Sequence, residues 1–154
     1  MVKVGDKLKD FTIKDQNGKD IKLSELKGQK VLLSFHPLAF TSVCANQMKS
    51  LEENFAEFQK LNTVPLGVSV DSVPTKRAWA KELSINNTRL VSDFWPHGGL
   101  AKELGIFMDK DGVSQRVNIL LDENGTVIWM KVYPLGEVPD IKEVLEVIKS
   151  KSKS

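Results

Sequence analysis

The sequence predicts an α/β fold in which helices flank a central mixed β-sheet, with a β-hairpin at the N-terminus. Three observations carry the prediction. From Val31 onward, short β-favouring apolar runs alternate with segments of helical periodicity. Ahead of them, Asn17-Gly18 separates two alternating runs, a strong hairpin signal. Near the end, two strand-like runs flank Glu123-Asn124-Gly125 and lead into an amphipathic segment.

In order, Phe11 to Ile13 and the run through Ile21 and Leu23 form the hairpin. Ser24-Glu25-Leu26 makes a short turn that Gly28 closes. Val31 to Phe35 is a strand stopped by Pro37, which has no N–H to give a ladder. A long helix opens at Thr41 or Ser42, both good N-cap types, and its periodicity runs to about Lys60. Val64, Leu66, Val68 and Val70 alternate along an interior strand that ends at Asp71-Ser72. Asp71 or Ser72 caps a second helix, Thr75 to Leu83, with Pro74 suited to its first position. A short strand at Leu90 to Ser92 precedes the F-W-P-H-G-G loop and a helix at Leu100 to Leu104. Arg116 to Leu121 and Val127 to Val132 pair across the Glu123-Asn124-Gly125 turn. Pro139-Asp140 opens a last helix with Ile141, Val144, Leu145 and Ile148 on one face. The tail, Lys149 to Ser154, has the composition of a fraying, solvated helix end. This order of βαβ units followed by ββα is a thioredoxin-like arrangement.

Composition narrows the function classes. At 154 residues the chain fits a single domain, 1–154, with a sizeable core. The net charge is +2, from 22 basic and 20 acidic residues that are interspersed, which argues against nucleic acid or an anionic membrane as the main partner. The N-terminus has no apolar run of signal-peptide length, and no segment approaches the ~20 apolar residues of a membrane span. One cysteine makes no internal disulfide and fits a reducing, cytoplasmic setting. With two widely spaced histidines it also makes a structural zinc site a poor fit.

That cysteine, Cys44, has two readings. It begins an apolar stripe with Met48, Leu51, Phe55 and Phe58, so it fits as a small core hydrophobe. It also lies in the first turn of a helix that follows a strand–loop junction. There, unpaired N–H groups and the positive end of the helix dipole favour a thiolate. Position favours the reactive reading.

Pro37, Thr41 and Cys44 fit P-x-x-x-T-x-x-C, and here the chain resembles the peroxiredoxins. G-V-S-V-D-S with the following A-W-A looks like the second βα unit of that family. R-V-N-I-L-L-D-E-N-G-T-V looks like the strand carrying its arginine, here Arg116. The runs F-H-P-L-A-F-T-S-V-C and S-D-F-W-P-H-G-G-L-A-K-E-L-G-I-F most resemble the AhpE-type one-cysteine subgroup. The likeness covers roughly residues 4 to 149.

The resemblance implies a thiol-dependent peroxidase acting on hydrogen peroxide and organic hydroperoxides, with Cys44 becoming a sulfenic acid and no cofactor. A thiol of ordinary pKa, about 8.5, is only a few per cent ionised at pH 7, so full ionisation gains about 30-fold, or ~2 kcal/mol. Nucleophilicity falls with thiol pKa, so charge on the leaving oxygen must be stabilised as well. By resemblance, Arg116, the Thr41 hydroxyl and backbone N–H groups do this, and Pro37 shields the thiolate. The sequence departs from the family at Gln47, where many members carry Glu, and at His36, where Phe or Tyr is usual. With no second cysteine, an external thiol must close the cycle. Candidates are a small thiol or a thioredoxin-, glutaredoxin- or mycoredoxin-like protein. The resemblance also implies a homodimer through loops bearing Leu38, Phe40, Trp79, Phe94 and Trp95.

Each residue also has a plainer reading. Arg116 can be a surface charge, Thr41 only a cap, Pro37 only a strand stop. His36 and His97 suit structural roles, and Trp79 and Trp95 suit packing or an interface. Cys44-Ala45-Asn46-Gln47 is not C-x-x-C, which argues against a thiol–disulfide oxidoreductase. A cysteine hydrolase needs His36 or His97 within reach of Cys44. A non-catalytic thioredoxin-like redox or chaperone partner stands as the third alternative.

Overall fold

In the computed structural model, which describes residues 1–152, the sheet is set by its central strand β3 (Lys30–Phe35), buried at every position. It pairs in parallel with β4 (Thr63–Ser69) and antiparallel with β8 (Arg116–Leu121). Outward from β4 lie β5 (Arg89–Ser92, parallel) and then the hairpin β1 (Thr12–Asp15) and β2 (Asp20–Lys22). β9 (Val127–Tyr133) closes the other edge, giving the order β2-β1-β5-β4-β3-β8-β9. Side chains alternate across β3 as the pleat demands. Val31, Leu33 and Phe35 join one core, and Leu32 joins the other.

Helices cover both faces. On the Leu32 side lie α1 (Ser42–Glu53), α2 (Phe55–Lys60), α3 (Val73–Glu82) and α5 (Ile141–Ser152), contributing Met48, Phe58, Trp79 and Val144 to that core. The other face packs against α4 (Gly99–Leu104) through Leu100, Ala101 and Leu104. α1 approaches the sheet closely because Gly67 of β4 lacks a side chain; a Cβ there would run into the Met48 sulfur. No helix among the described residues is long and apolar enough to cross a membrane.

Several elements differ from expectation. The single helix expected from Thr41 to Lys60 breaks at Asn54. The Asn54 side-chain amide donates to the Ser50 carbonyl at 2.8 Å, taking the acceptor that the backbone N–H of the same residue would use in a continuing helix. A small ribbon, β6 (Phe107–Met108) with β7 (Val113–Ser114), was not expected. Its strands are too short for an alternating pattern, although Asp111-Gly112, with Gly112 at φ +71°, is a turn signal. The tail is an exposed helix end, as expected, as far as Ser152; Lys153 and Ser154 lie outside the described residues. Of the two candidate caps for α3, Ser72 is the one that accepts from the Thr75 N–H, at 3.4 Å.

Candidate active site

The site forms where β3 ends and α1 begins. Because β8 runs antiparallel to β3, with Phe35 opposite Val117, the first residue of β8 lies beside the carboxyl end of β3. That residue is Arg116, and the first turn of α1 carries Cys44. Two residues 72 apart in sequence thereby meet: Arg116 Nη1 donates to Cys44 Sγ at 3.3 Å. Both are buried, Cys44 at 1% exposure and Arg116 at 3%. The charged guanidinium thus donates to a sulfur removed from water, where Coulomb attraction is stronger than in solvent.

The guanidinium is fixed from behind. Nη1 also donates to Gln47 Oε1 at 2.6 Å, and Nε and Nη2 both donate to the Leu135 carbonyl, at 3.2 and 2.8 Å. The Gln47 amide in turn donates to Ser34 Oγ at 2.8 Å and to the Phe35 carbonyl at 3.2 Å. A neutral glutamine thus anchors the guanidinium. Gln47 stands one helical turn beyond Cys44, on the face that α1 turns to β3.

The loop between them is pinned twice. The Ala39 N–H donates to Asp71 Oδ2 at 2.8 Å, and the Thr41 hydroxyl donates to the Leu38 carbonyl at 2.7 Å. Thr41 occupies the N-cap position, but its side chain makes no cap bond; its one hydroxyl proton goes back to Leu38. Phe40, between them, takes the left-handed region at φ +64°. Pro37 is half-buried at the start of this loop. Sequence reasoning gave Asp71 to strand termination or a helix cap. Its actual use is to hold the loop that precedes Cys44, a tertiary contact with no local pattern.

Both histidines are engaged elsewhere. His97 shares its Nε2 with the Gly112 carbonyl at 2.7 Å and packs edge-on against Phe107. His36 is fully buried, its Nδ1 3.4 Å from the Ser34 carbonyl and its Nε2 2.8 Å from Lys76 Nζ. Among the described residues neither imidazole hydrogen-bonds Cys44, which removes the base a cysteine hydrolase requires.

Residues 4–130 match the AhpC/TSA family. The chain is a member of that family of peroxiredoxins. It is 36% identical to alkyl hydroperoxide reductase E of Mycobacterium tuberculosis over 141 residues, 91% of this chain and 92% of that protein. Its fold matches Enterococcus faecalis AhpC with a TM-score of 0.92 at 21% identity, covering 99% of this chain and 94% of the other. It also matches the reduced 2-Cys peroxiredoxin of Plasmodium vivax with a TM-score of 0.89 at 29% identity, covering 99% and 83%.

This peroxiredoxin surrounds its site with unequal surfaces. Leu38 and Phe40, in the loop after β3, and Phe94 and Trp95, in the loop after β5, are exposed, Trp95 at 84%. Trp79, expected among them, is core: α3 turns it inward, where its ring lies 5.3 Å from that of His36.

Two predictions test the site's energetics. Gln47→Leu removes a hydrogen bond from a buried cation, so it lowers unfolding stability by about 1.5–3 kcal/mol in urea titration, a result that Gln47→Glu does not reproduce. Burial brings Lys76 down to about 7 against the partial support of Asp71 and Cys44. The unfolded chain holds that proton up to about pH 10.4, the folded chain only to about pH 7. Between those limits the unfolded state binds more protons, so stability rises with pH, by up to about 1.4 kcal/mol per unit. Denaturant titrations across that range measure the slope, and Lys76→Met flattens it.

Proposed function

We propose that Cys44 is the nucleophile through which this peroxiredoxin, a thiol-dependent hydroperoxide reductase, reduces its substrate. The observation that carries the assignment is the Arg116 guanidinium, 3.3 Å from Cys44 Sγ and held there by Gln47 and the Leu135 carbonyl. The thiolate attacks the distal oxygen of the hydroperoxide. An S–O bond forms, the O–O bond breaks, and the products are a sulfenic acid and an alcohol or water. Arg116 stabilises the thiolate beforehand and the charge on the oxygens during transfer, a donor set in place before the reaction. The Thr41 hydroxyl, whose proton is committed to Leu38, meets the peroxide as an acceptor for its O–H. Backbone N–H groups of the first turn of α1 add positive potential, and Pro37 shields the sulfur without competing for hydrogen bonds.

The chain holds one cysteine, so the sulfenic acid is reduced from outside. The reductant is a small thiol or a thioredoxin-, glutaredoxin- or mycoredoxin-like protein, and no cofactor takes part. The protein works as a single domain, 1–154, and its cysteine usage suits the cytoplasm. The exposed Leu38, Phe40, Phe94 and Trp95 form the face of a homodimer; such apolar groups gain most when covered. The charge balance gives neither nucleic acid nor membrane a role.

Rapid mixing with hydrogen peroxide, followed by tryptophan fluorescence and dimedone labelling, tests the assignment. Oxidation is confined to Cys44, and Arg116→Met slows it about 100-fold or more. Peroxide consumption stops near one equivalent unless thiol is added; sustained consumption without any donor rules the one-cysteine cycle out. Sedimentation at micromolar concentration shows a dimer that Trp95→Glu dissociates, whereas a monomeric wild-type protein overturns the interface.

A further inference from the structure

Behind the site lies a pair of buried titratable groups to which the peroxidase chemistry assigns no task. Lys76 of α3 and His36 at the end of β3 are both 0% exposed, with Nζ and Nε2 2.8 Å apart. The Ser34 carbonyl accepts only, so His36 Nδ1 carries the imidazole proton, and Nε2 is left to accept from Lys76. No carboxylate forms an ion pair with Lys76 among the described residues; its Nζ also lies over the Trp79 ring, 5.4 Å from the centroid. A lysine buried on a neutral acceptor is an expensive arrangement for an ammonium, and buried charges persist where another charge balances them.

The charges around it are few. Asp71, at the mouth of α3, and Cys44, on α1, both favour the ammonium, and burial opposes it. Burial, with Lys76 and to a lesser degree Arg116, holds His36 well below its ordinary value, so the imidazole stays neutral. Asp71 is the fixed member, tied to Ala39 N–H and Ser69 Oγ. Cys44 is the member whose charge changes during turnover.

We propose that Lys76, held by His36, is the proton reservoir of peroxide reduction, carrying a proton while Cys44 is a thiolate and surrendering it when the sulfur becomes a neutral sulfenic acid. The inference rests on Cys44 being the peroxide-reducing thiolate. Oxygen transfer takes two electrons from sulfur and leaves an alkoxide, or hydroxide from hydrogen peroxide, that needs one proton. Loss of the thiolate charge leaves the Lys76 ammonium with Asp71 alone against its burial, and it releases one proton, balancing the one the leaving oxygen takes up. Two equivalents of external thiol then convert the sulfenic acid to a thiol, with release of water and formation of their disulfide. When Cys44 returns to the thiolate, Lys76 takes up a proton again and the charge pair is restored. An amine still has N–H groups to donate, so the bond to His36 survives both states and the switch breaks no contact. Lys76 is thus a positioning residue for charge, acting through Cys44.

Carbon-13 NMR of the lysine Cε positions reads the Lys76 charge directly, its signal assigned by its loss in Lys76→Met. In the reduced protein the expected titration midpoint lies near pH 7. One equivalent of hydrogen peroxide lowers the midpoint by a unit or more, and dithiothreitol restores it. Cys44→Ser, a neutral hydroxyl, shows the lowered midpoint without peroxide. Excess peroxide, which drives Cys44 to the anionic sulfinate, raises it again. Dimedone labelling of the same sample separates the two claims. Labelled Cys44 with an unmoved midpoint overturns the reservoir and leaves the peroxidase standing. A Cys44 that peroxide does not oxidise overturns both.

Discussion

The site depends on the burial of one guanidinium. Arg116 is always charged and almost wholly out of water, so it persists only where acceptors surround it. The structure supplies an amide oxygen from α1, a carbonyl from the segment after β9, and the sulfur of Cys44. These come from separate elements, and each is held by something else in turn. Gln47 is locked to Ser34 and Phe35 of β3, so the cation is tied to the central strand through a helix. Displacing any one of these parts leaves a buried charge short of an acceptor, which is why the arrangement behaves as a unit.

That constraint explains the polar content at the carboxyl end of the β3–β4 pair, in a sheet whose middle is apolar. Ser34, His36, Gln47, Asp71, Lys76 and Arg116 gather around this end, and all but Asp71 are fully or nearly fully buried. The aliphatic faces of β3, β4 and β8 provide the hydrophobic gain against which these groups are held. Strand ends suit such a cluster, because ladder bonds stop there and side chains and carbonyls become available to partners. The loops after β3 and β5, which carry the exposed Leu38, Phe40, Phe94 and Trp95, leave from this same end of the sheet.

Much of this was legible in the chain. Strand and helix periodicities, Asn17-Gly18 and the strand–Pro37–Thr41–Cys44 junction gave the layers, and the junction singled out Cys44 as the candidate nucleophile. What was missed was missed for physical reasons. Asn54 breaks a helix whose apolar stripe continues across the break, so the pattern alone runs on to Lys60. The β6–β7 ribbon is too short to show a period. Thr41 has the composition of a cap, yet the tight turn at Phe40 sends its hydroxyl to Leu38. Asp71 looks like a strand terminator and instead holds the loop from 32 residues away.

The sequence by itself determined the layers, the single thiol in the first turn of a helix, and the need for an outside reductant. These are properties of local pattern and of counting. Only the tertiary structure decided what surrounds the sulfur. The antiparallel register of β8 on β3 brings Arg116 across 72 residues, and the close seat of α1 over Gly67 accompanies a Gln47 turned onto β3. The packing of α3 buries Lys76 on His36. Hydrogen-bond partners and charge states depend on distances and burial between remote segments, and no stretch of sequence holds either.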